Sequence, residues 1–310
     1  MKSYTEGRNL AGVLTKNTAT ANLSYLDQMA NDDYRHLCAL MDWPFLNRNR
    51  TVSTTASTQS VPMPYDCDLV REISVIPASS TIRYTPQRCP DRETWDVLNL
   101  RSYVSDIPEW YFVENGLIYL WPVPASSSNT VYVDQKCRVI DLSVADYTTG
   151  TITSIANGGT AVVGSGTSWT SQMVGRYIRF TYSNTANTGD GLWYEIAAVP
   201  TSTTMTLARA YGGTSISAGS AAYTIGQMPL LPEAFHDLPW VYAAASYWQK
   251  ESDKRAQGLF DLHGSPPQGG RSATGRVRDL IVGYANATTD PVLDSGNDYE
   301  MINPNLLISL

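Results

Sequence analysis

The sequence predicts an α+β protein. Helices and an antiparallel β part make one body, an all-β module (sandwich or barrel) is inserted into it, and an extended tail ends the chain. Three observations predict this. The eighty residues Thr148–Gln227 carry only five charged side chains, Arg176, Arg179, Asp190, Glu195 and Arg209, amid short alternating runs rich in Thr, Ser and Gly. The flanking segments are charged and aromatic, and the C-terminal one has helical periodicity. From Pro291 no period holds until the apolar end LLISL. The expected segments are residues 1–147, the inserted module 148–227, C-terminal helices 228–290 and an arm 291–310.

In chain order, Leu23, Leu26 and Met29, then Tyr34, Leu37, Cys38, Leu40 and Met41, recur at helical spacing. Asp32 or Asp33 is expected to open a second helical piece, which Pro44 stops. Residues 48–60 are polar and rich in Thr and Ser, so a loop is expected. Residues 61–142 carry a β pattern, clearest in WYFVENGLIYLWPVP, residues 110–124. Asn115-Gly116 suits a two-residue hairpin turn and sets Val113 opposite Ile118, Phe112 opposite Tyr119 and Trp110 opposite Trp121. Pro122 and Pro124 then confine the strand end to an edge.

About six strands are expected in the module: residues 151–155, 161–163, 177–180, 193–199, 205–209 and 222–225. Asn157-Gly158, Asp190-Gly191 and Gly212-Gly213 mark turns between them. After Pro229 the period becomes helical. Leu238, Val241, Tyr242, Ala245 and Trp248 form one apolar face, and Ala243, Ala244 and Ala245 allow close helix approach. A further turn with Ala256, Leu259 and Phe260 closes at Gly264 and Pro266-Pro267, and a shorter helix surrounds Val277, Leu280, Ile281 and Tyr284.

The chain has 310 residues, 43% of them apolar and only 16% charged, with 19 Tyr and 8 Trp against 5 Phe. That balance suits extensive contact surface, because Tyr and Trp bury well while keeping a polar handle. A net charge of −7 argues against gripping phosphates. The N-terminus has no long apolar run, and no stretch approaches membrane-spanning length. Cys38, Cys67, Cys89 and Cys137 fit neither a zinc site nor a disulfide framework, so buried free thiols are expected.

No nucleophile–base pair stands out, and no enzyme, metal site or cofactor is expected. His36, His236 and His263 lie among helical residues, where structural imidazoles are common. Glu109 and Glu114 flank the aromatic strand and could in principle form a glycosidase pair, but solvated strand-end acids are the simpler reading. GSGTSW, residues 164–169, faintly resembles a phosphate loop without the helix that such a loop needs. Asp294, Asp298 and Glu300 around Gly296 echo a calcium loop in composition but not in spacing. Trp169, Trp193, Tyr194 and Tyr211, if exposed, could stack on sugars.

Three pieces in order resemble the head–tail adaptors of tailed bacteriophages, the connectors beneath the portal. They are DWPF (residues 42–45), PEWYFVENGLIYLWPVP (108–124) and LPEAFHDLPWVYAAASYWQKESDKRAQGLF (231–260). The module resembles a β module of some adaptors through GTITSI, VVGSGTSWTS, GRYIRF, WYEIAAV and MTLARAYGG. The resemblance spans about four-fifths of the chain, and its motifs carry no catalytic signature. It implies a structural virion protein of the neck, made in the host bacterial cytoplasm. Its helical body would form a ring, usually of twelve copies, on the portal protein. Double-stranded DNA would pass through the ring without specific contacts, and tail or nozzle proteins would attach below. The resemblance also implies that a C-terminal arm lies along the portal. Two rivals are a receptor- or glycan-binding tail component that uses the module, and a cell-wall hydrolase.

Between Pro291 and Leu310 the charges are all negative, yet Tyr299, Met301, Ile302, Leu306, Leu307, Ile308 and Leu310 are apolar. They are the candidate portal interface, with Leu306, Leu307 and Ile308 as anchors.

Overall fold

The structure is a computed structural model. It describes residues 1–17, 19–101, 103–182, 189–217, 221–267 and 271–284. The chain divides into two compact units, one of residues 42–140 and one of residues 1–41 with residues from 141 onward.

The chain opens with a helix the sequence reading did not include, α1 (Tyr4–Thr15). Its signal was present as Ser3-x-x-Glu6. Ser3 Oγ accepts from the Glu6 amide and Glu6 Oε2 accepts from the Ser3 amide, each at 3.2 Å, which makes a capping box. Helix α2 (Thr20–Ala39) is one uninterrupted element. It does not restart at Asp32 or Asp33, because neither carboxylate competes for the helix backbone. Asp32 binds Arg35 one turn on, and Asp33 is buried against His263.

The unit of residues 42–140 is a sandwich of two sheets with a helix on one outer face. Strands β1 (Asn47–Ser53), β3 (Cys67–Ile76) and β7 (Thr130–Cys137) form one sheet in the order β1-β7-β3, all antiparallel. Strands β2 (Ser60–Pro62), β4 (Gln87–Arg88), β5 (Trp110–Glu114) and β6 (Leu117–Trp121) form the other, in the order β2-β6-β5-β4. Val61, Val70, Ile73, Val75, Tyr111, Ile118, Leu120, Val131 and Val133 fill the space between the sheets. Side chains of opposite parity in the hairpin point away from that core. Phe112 and Tyr119 pack instead on Trp95 of α3 (Arg92–Asn99), with ring centroids 5.7 and 6.2 Å away.

The hairpin has the expected register throughout, and Asn115 and Gly116 have φ of 51° and 74°, as a two-residue turn requires. Two expectations for this region fail. The stretch expected to be a loop contains most of β1, an edge strand whose half-buried face is Arg48, Arg50 and Val52, so its sequence shows no apolar alternation. Within the β region lies α3, started by Asp91, whose side chain accepts from the Thr94 amide at 2.7 Å.

The module is a six-stranded curled sheet made of β8 (Thr151–Ser154), β9 (Ala161–Ser165), β10 (Tyr177–Phe180), β11 (Trp193–Thr201), β12 (Thr204–Leu207) and β13 (Tyr223–Gly226). The strand order is β13-β10-β11-β12-β9-β8. Bridges Tyr147↔Ile225, Ile152↔Ala221 and Ile155↔Ile216 join the β8 side back to the segment that leads into β13. The result is a closed barrel, which leaves few free edges. All six expected strands are present, with ends shifted by at most two residues. The interior holds Ile152, Val162, Met173, Ile178, Phe180, Ile196, Met205, Leu207 and Ile225 together with a ring of aromatics.

Helices α4 (Leu238–Lys250), α5 (Arg255–His263) and α6 (Gly275–Tyr284) complete the second unit. Helix α4 was expected to show one apolar face but is buried on nearly all sides, because α1, α2 and α5 all pack on it. Ala243, Ala244 and Ala245 are fully buried at these approaches. One close approach is at Gly7 of α1, where a β-carbon would lie 2.0 Å from Trp240 Nε1. The position admits no side chain while the indole stays in place.

Candidate assembly surfaces

Two of the histidines considered for catalysis, His236 and His263, are buried and hydrogen-bonded within the fold, while His36 is exposed. His236 is 2% exposed, and burial lowers its pKa. In the neutral tautomer Nε2–H donates to the Leu231 carbonyl (2.8 Å) while Nδ1 accepts from the Lys2 amide (3.2 Å). It pins the start of the chain to the entry of α4. Glu109 and Glu114 lie at opposite ends of β5, five residues apart, which is about 17 Å along an extended strand. That exceeds the ~5–9.5 Å of a glycosidase pair. Glu114 also forms an ion pair with Arg92.

The GSGTSW segment leads into a short 3-10 turn, Ser171–Met173, and β10 rather than a helix N-terminus. Its side chains close the barrel. Trp169 Nε1 donates to Tyr223 Oη at 2.9 Å, and Thr167 Oγ1 to the Ser202 carbonyl at 2.6 Å. Trp169, Trp193, Tyr194 and Tyr211, which could stack on sugars only if exposed, are not exposed. All four are buried, with Trp169, Tyr194 and Tyr211 in the barrel core, because the interior of a small barrel is filled by side chains.

His263 and Asp33 form a buried pair with Nε2 and Oδ2 3.0 Å apart. They line a cleft of about 540 Å³ with His36, Tyr242, Phe260 and Asp261 among its walls. His263 Nδ1 donates to the Gly264 carbonyl at 2.7 Å, so the pair retains a proton between Nε2 and the carboxylate. Burial alone would lower the His263 pKa, but the hydrogen bond and charge of Asp33 outweigh it and leave the pKa raised. Burial raises that of Asp33. Both directions mean that the folded state holds more protons than the unfolded one. The stability from His263 is therefore complete below its ordinary pKa of about 6.5 and is lost as pH rises through the raised value. Wild type should exceed His263→Gln in melting temperature by more at pH 6 than at pH 9. A constant gap would show that the pair does not titrate as described.

An apolar surface lies along α3 and the segment after it. Trp95 points into the protein, while Val97, Leu100, Tyr103, Val104 and Ile107 are exposed, Leu100 by 84%. Apolar exposure concentrated in one short segment suits an interaction surface. Sequence reasoning missed these residues because α3 itself was missed. The spacing Val97, Leu100, Val104 after a capping Asp91 was the available signal.

The portal-interface candidates Tyr299, Met301, Ile302, Leu306, Leu307, Ile308 and Leu310 lie outside the described residues, as do Asp294, Gly296, Asp298 and Glu300. Among the described residues no group of three or more His, Cys, Asp or Glu could hold a metal ion, and no helix is long and apolar enough to cross a membrane.

No curated protein matches the chain significantly. A family model described as "SU10 adaptor protein" does match, over residues 7–156, a span that takes in most of α1, α2, the whole two-sheet unit and β8. Residues 7–156 thus match the model of the SU10 adaptor protein family, in agreement with the resemblance to phage head–tail adaptors carried by the DWPF and hairpin motifs.

Proposed function

We propose that the protein assembles as a ring on the portal of a tailed phage, continues its DNA channel and offers the platform on which tail or nozzle proteins attach. The family match carries this reading. The apolar surface on α3 supports it, since a protomer in a ring needs contact surface that a lone chain leaves open. The net charge of −7 suits passage of DNA without adhesion. The burial of the barrel aromatics removes the feature that favoured a glycan-binding component. The test is the mass of the full chain alone and mixed with its portal. The chain alone should be monomeric or weakly associated and should become a ring on the portal. A stable, concentration-independent ring in isolation would overturn the assembly order.

Within this reading the C-terminal segment is the arm that holds the portal. Burying three of its apolar side chains would contribute several kcal/mol, at about 1.5–3 kcal/mol each before the cost of ordering the backbone. Deleting residues 291–310 should leave the melting temperature almost unchanged and abolish stable portal attachment. A truncated chain that melts earlier and still binds would make the segment part of its own core.

The barrel is a peripheral module in the same proposal. It has its own interior, and its two ends are adjacent, since Tyr147 and Ile225 exchange backbone hydrogen bonds of 2.8 Å each. Replacing residues 148–227 by a short Gly/Ser linker should preserve the far-ultraviolet helical signal of α4–α6. Loss of that signal would show that the barrel is needed for the helical core.

A further inference from the structure

Cys67 opens β3 and Cys137 closes β7, and the register places them directly opposite each other. The Cys67 amide donates to the Pro64 carbonyl (3.0 Å) rather than across the strands, and the Arg138 amide donates to the Asp66 carbonyl (2.7 Å). This pattern makes Cys67/Cys137 a non-hydrogen-bonded pair, in which Cα atoms lie about 4.5 Å apart and side chains share one face. A disulfide spans Cα separations of about 4.4–6.8 Å. Both residues are free thiols and each is 2% exposed. Cys89 instead faces the Asp91 carbonyl at 3.3 Å, and Cys38 lies in the other compact unit.

We propose that Cys67 and Cys137 are an oxidation site, a dithiol that closes to a cross-strand disulfide when the chain leaves a reducing compartment and meets hydrogen peroxide. Arg48 and Arg50 favour a thiolate at Cys137, against burial and the nearby Asp66, which raise its pKa overall. Burial pushes the Cys67 thiol up to about 11, with Asp66, Asp68 and Cys137 adding to the rise and Arg138 opposing it. Cys137 is therefore the attacking sulfur and Cys67 the resolving one.

The Cys137 thiolate attacks one peroxide oxygen, the O–O bond breaks, and hydroxide leaves to take up the proton that Cys137 had lost. The product is a sulfenic acid. The Cys67 sulfur then displaces its hydroxyl, which departs as water with the Cys67 proton. Overall, two thiols and one peroxide give one disulfide and two waters. Each sulfur loses one electron and the peroxide gains two. Because the thiols are buried they meet oxidant slowly, and the pair persists as a dithiol where reductant is plentiful. Once formed, the link ties the end of β7 to the start of β3 and closes the chain between them.

The experiment treats the folded full-length chain with hydrogen peroxide, then blocks free thiols, digests and maps the peptides by mass. The expected product is an intramolecular Cys67–Cys137 linked peptide. It should form about tenfold faster per pH unit between pH 7 and 9, as thiolate supply dictates. The unfolding midpoint should rise by several degrees, and reductant should reverse the rise. In Cys67→Ala the link should vanish and Cys137 should advance to sulfinic acid. Cys67→Ser serves the same end if the alanine variant does not fold. Links through Cys38 or Cys89, links between chains, or Cys67 and Cys137 both remaining thiols after prolonged exposure would each overturn the proposal.

Discussion

Trp240→Ala should lower the stability of the helical unit by about 3–5 kcal/mol, the range for deleting a buried aromatic. Trp240 is fully buried in α4, and its indole lies against α1 at Gly7 and beside the Tyr4 ring, with centroids 5.7 Å apart. Removing the ring leaves a void between two helices whose approach distance it sets, and Gly7 brings no side chain to fill that void. The complementary change acts from the other side. Gly7→Ala puts a methyl group where the indole sits, so the helices must separate or the ring must turn. Denaturant titration of both variants measures the contact. A loss under about 1 kcal/mol for Trp240→Ala would mean that the helices close over the gap.

Asp66→Ala should destabilise the two-sheet unit by about 2–3 kcal/mol, the cost of losing charged hydrogen bonds in a partly buried ion pair and leaving a buried amide without its acceptor. The Asp66 side chain is 10% exposed. Its Oδ2 accepts from Arg50 Nε and Nη2 at 3.1 and 2.8 Å, and its Oδ1 accepts from Gln135 Nε2 at 2.8 Å. One carboxylate thus joins β1, the turn into β3 and the middle strand β7. Gln135 is fully buried, so its amide would lose its partner where water cannot replace it. Asp66→Asn keeps the volume and one acceptor and should recover part of the loss. Equal melting of Asp66→Ala and wild type would show that the sheet edge is held by its backbone ladder alone.

Features that depend on a few neighbouring residues were legible in the sequence. Asn115-Gly116 set the hairpin register because only a two-residue turn with positive φ joins those strands without a slip. The barrel strands were legible because dense turn signals cut a weakly charged stretch into short alternating runs. The end of α5 followed from Gly264 and the proline pair, and the presence of α6 from its helical period. Even the missed α1 and α3 had local signals, a capping box at Ser3 and an N-cap at Asp91.

Other features were settled only when distant segments met. Asp33 could stay inside an unbroken α2 because His263, 230 residues away, shares its proton. The strand β1 carries no apolar alternation, and a ladder supplied by β7 makes it a strand. Trp169, Tyr194 and Tyr211 turn inward because barrel closure through Ile152 and Ala221 leaves a space that smaller residues cannot fill. The exposure of Leu100 follows from Trp95 taking the inner side of α3. The opposition of Cys67 and Cys137 is a matter of register between two strands far apart in the chain. The sequence by itself determined the local conformations, the placement of the barrel and the resemblance to phage adaptors, since turns, caps and periods act over a few residues. Tertiary structure alone decided which side chains are buried, which charges pair and which apolar faces stay open, because those depend on what the rest of the chain brings alongside.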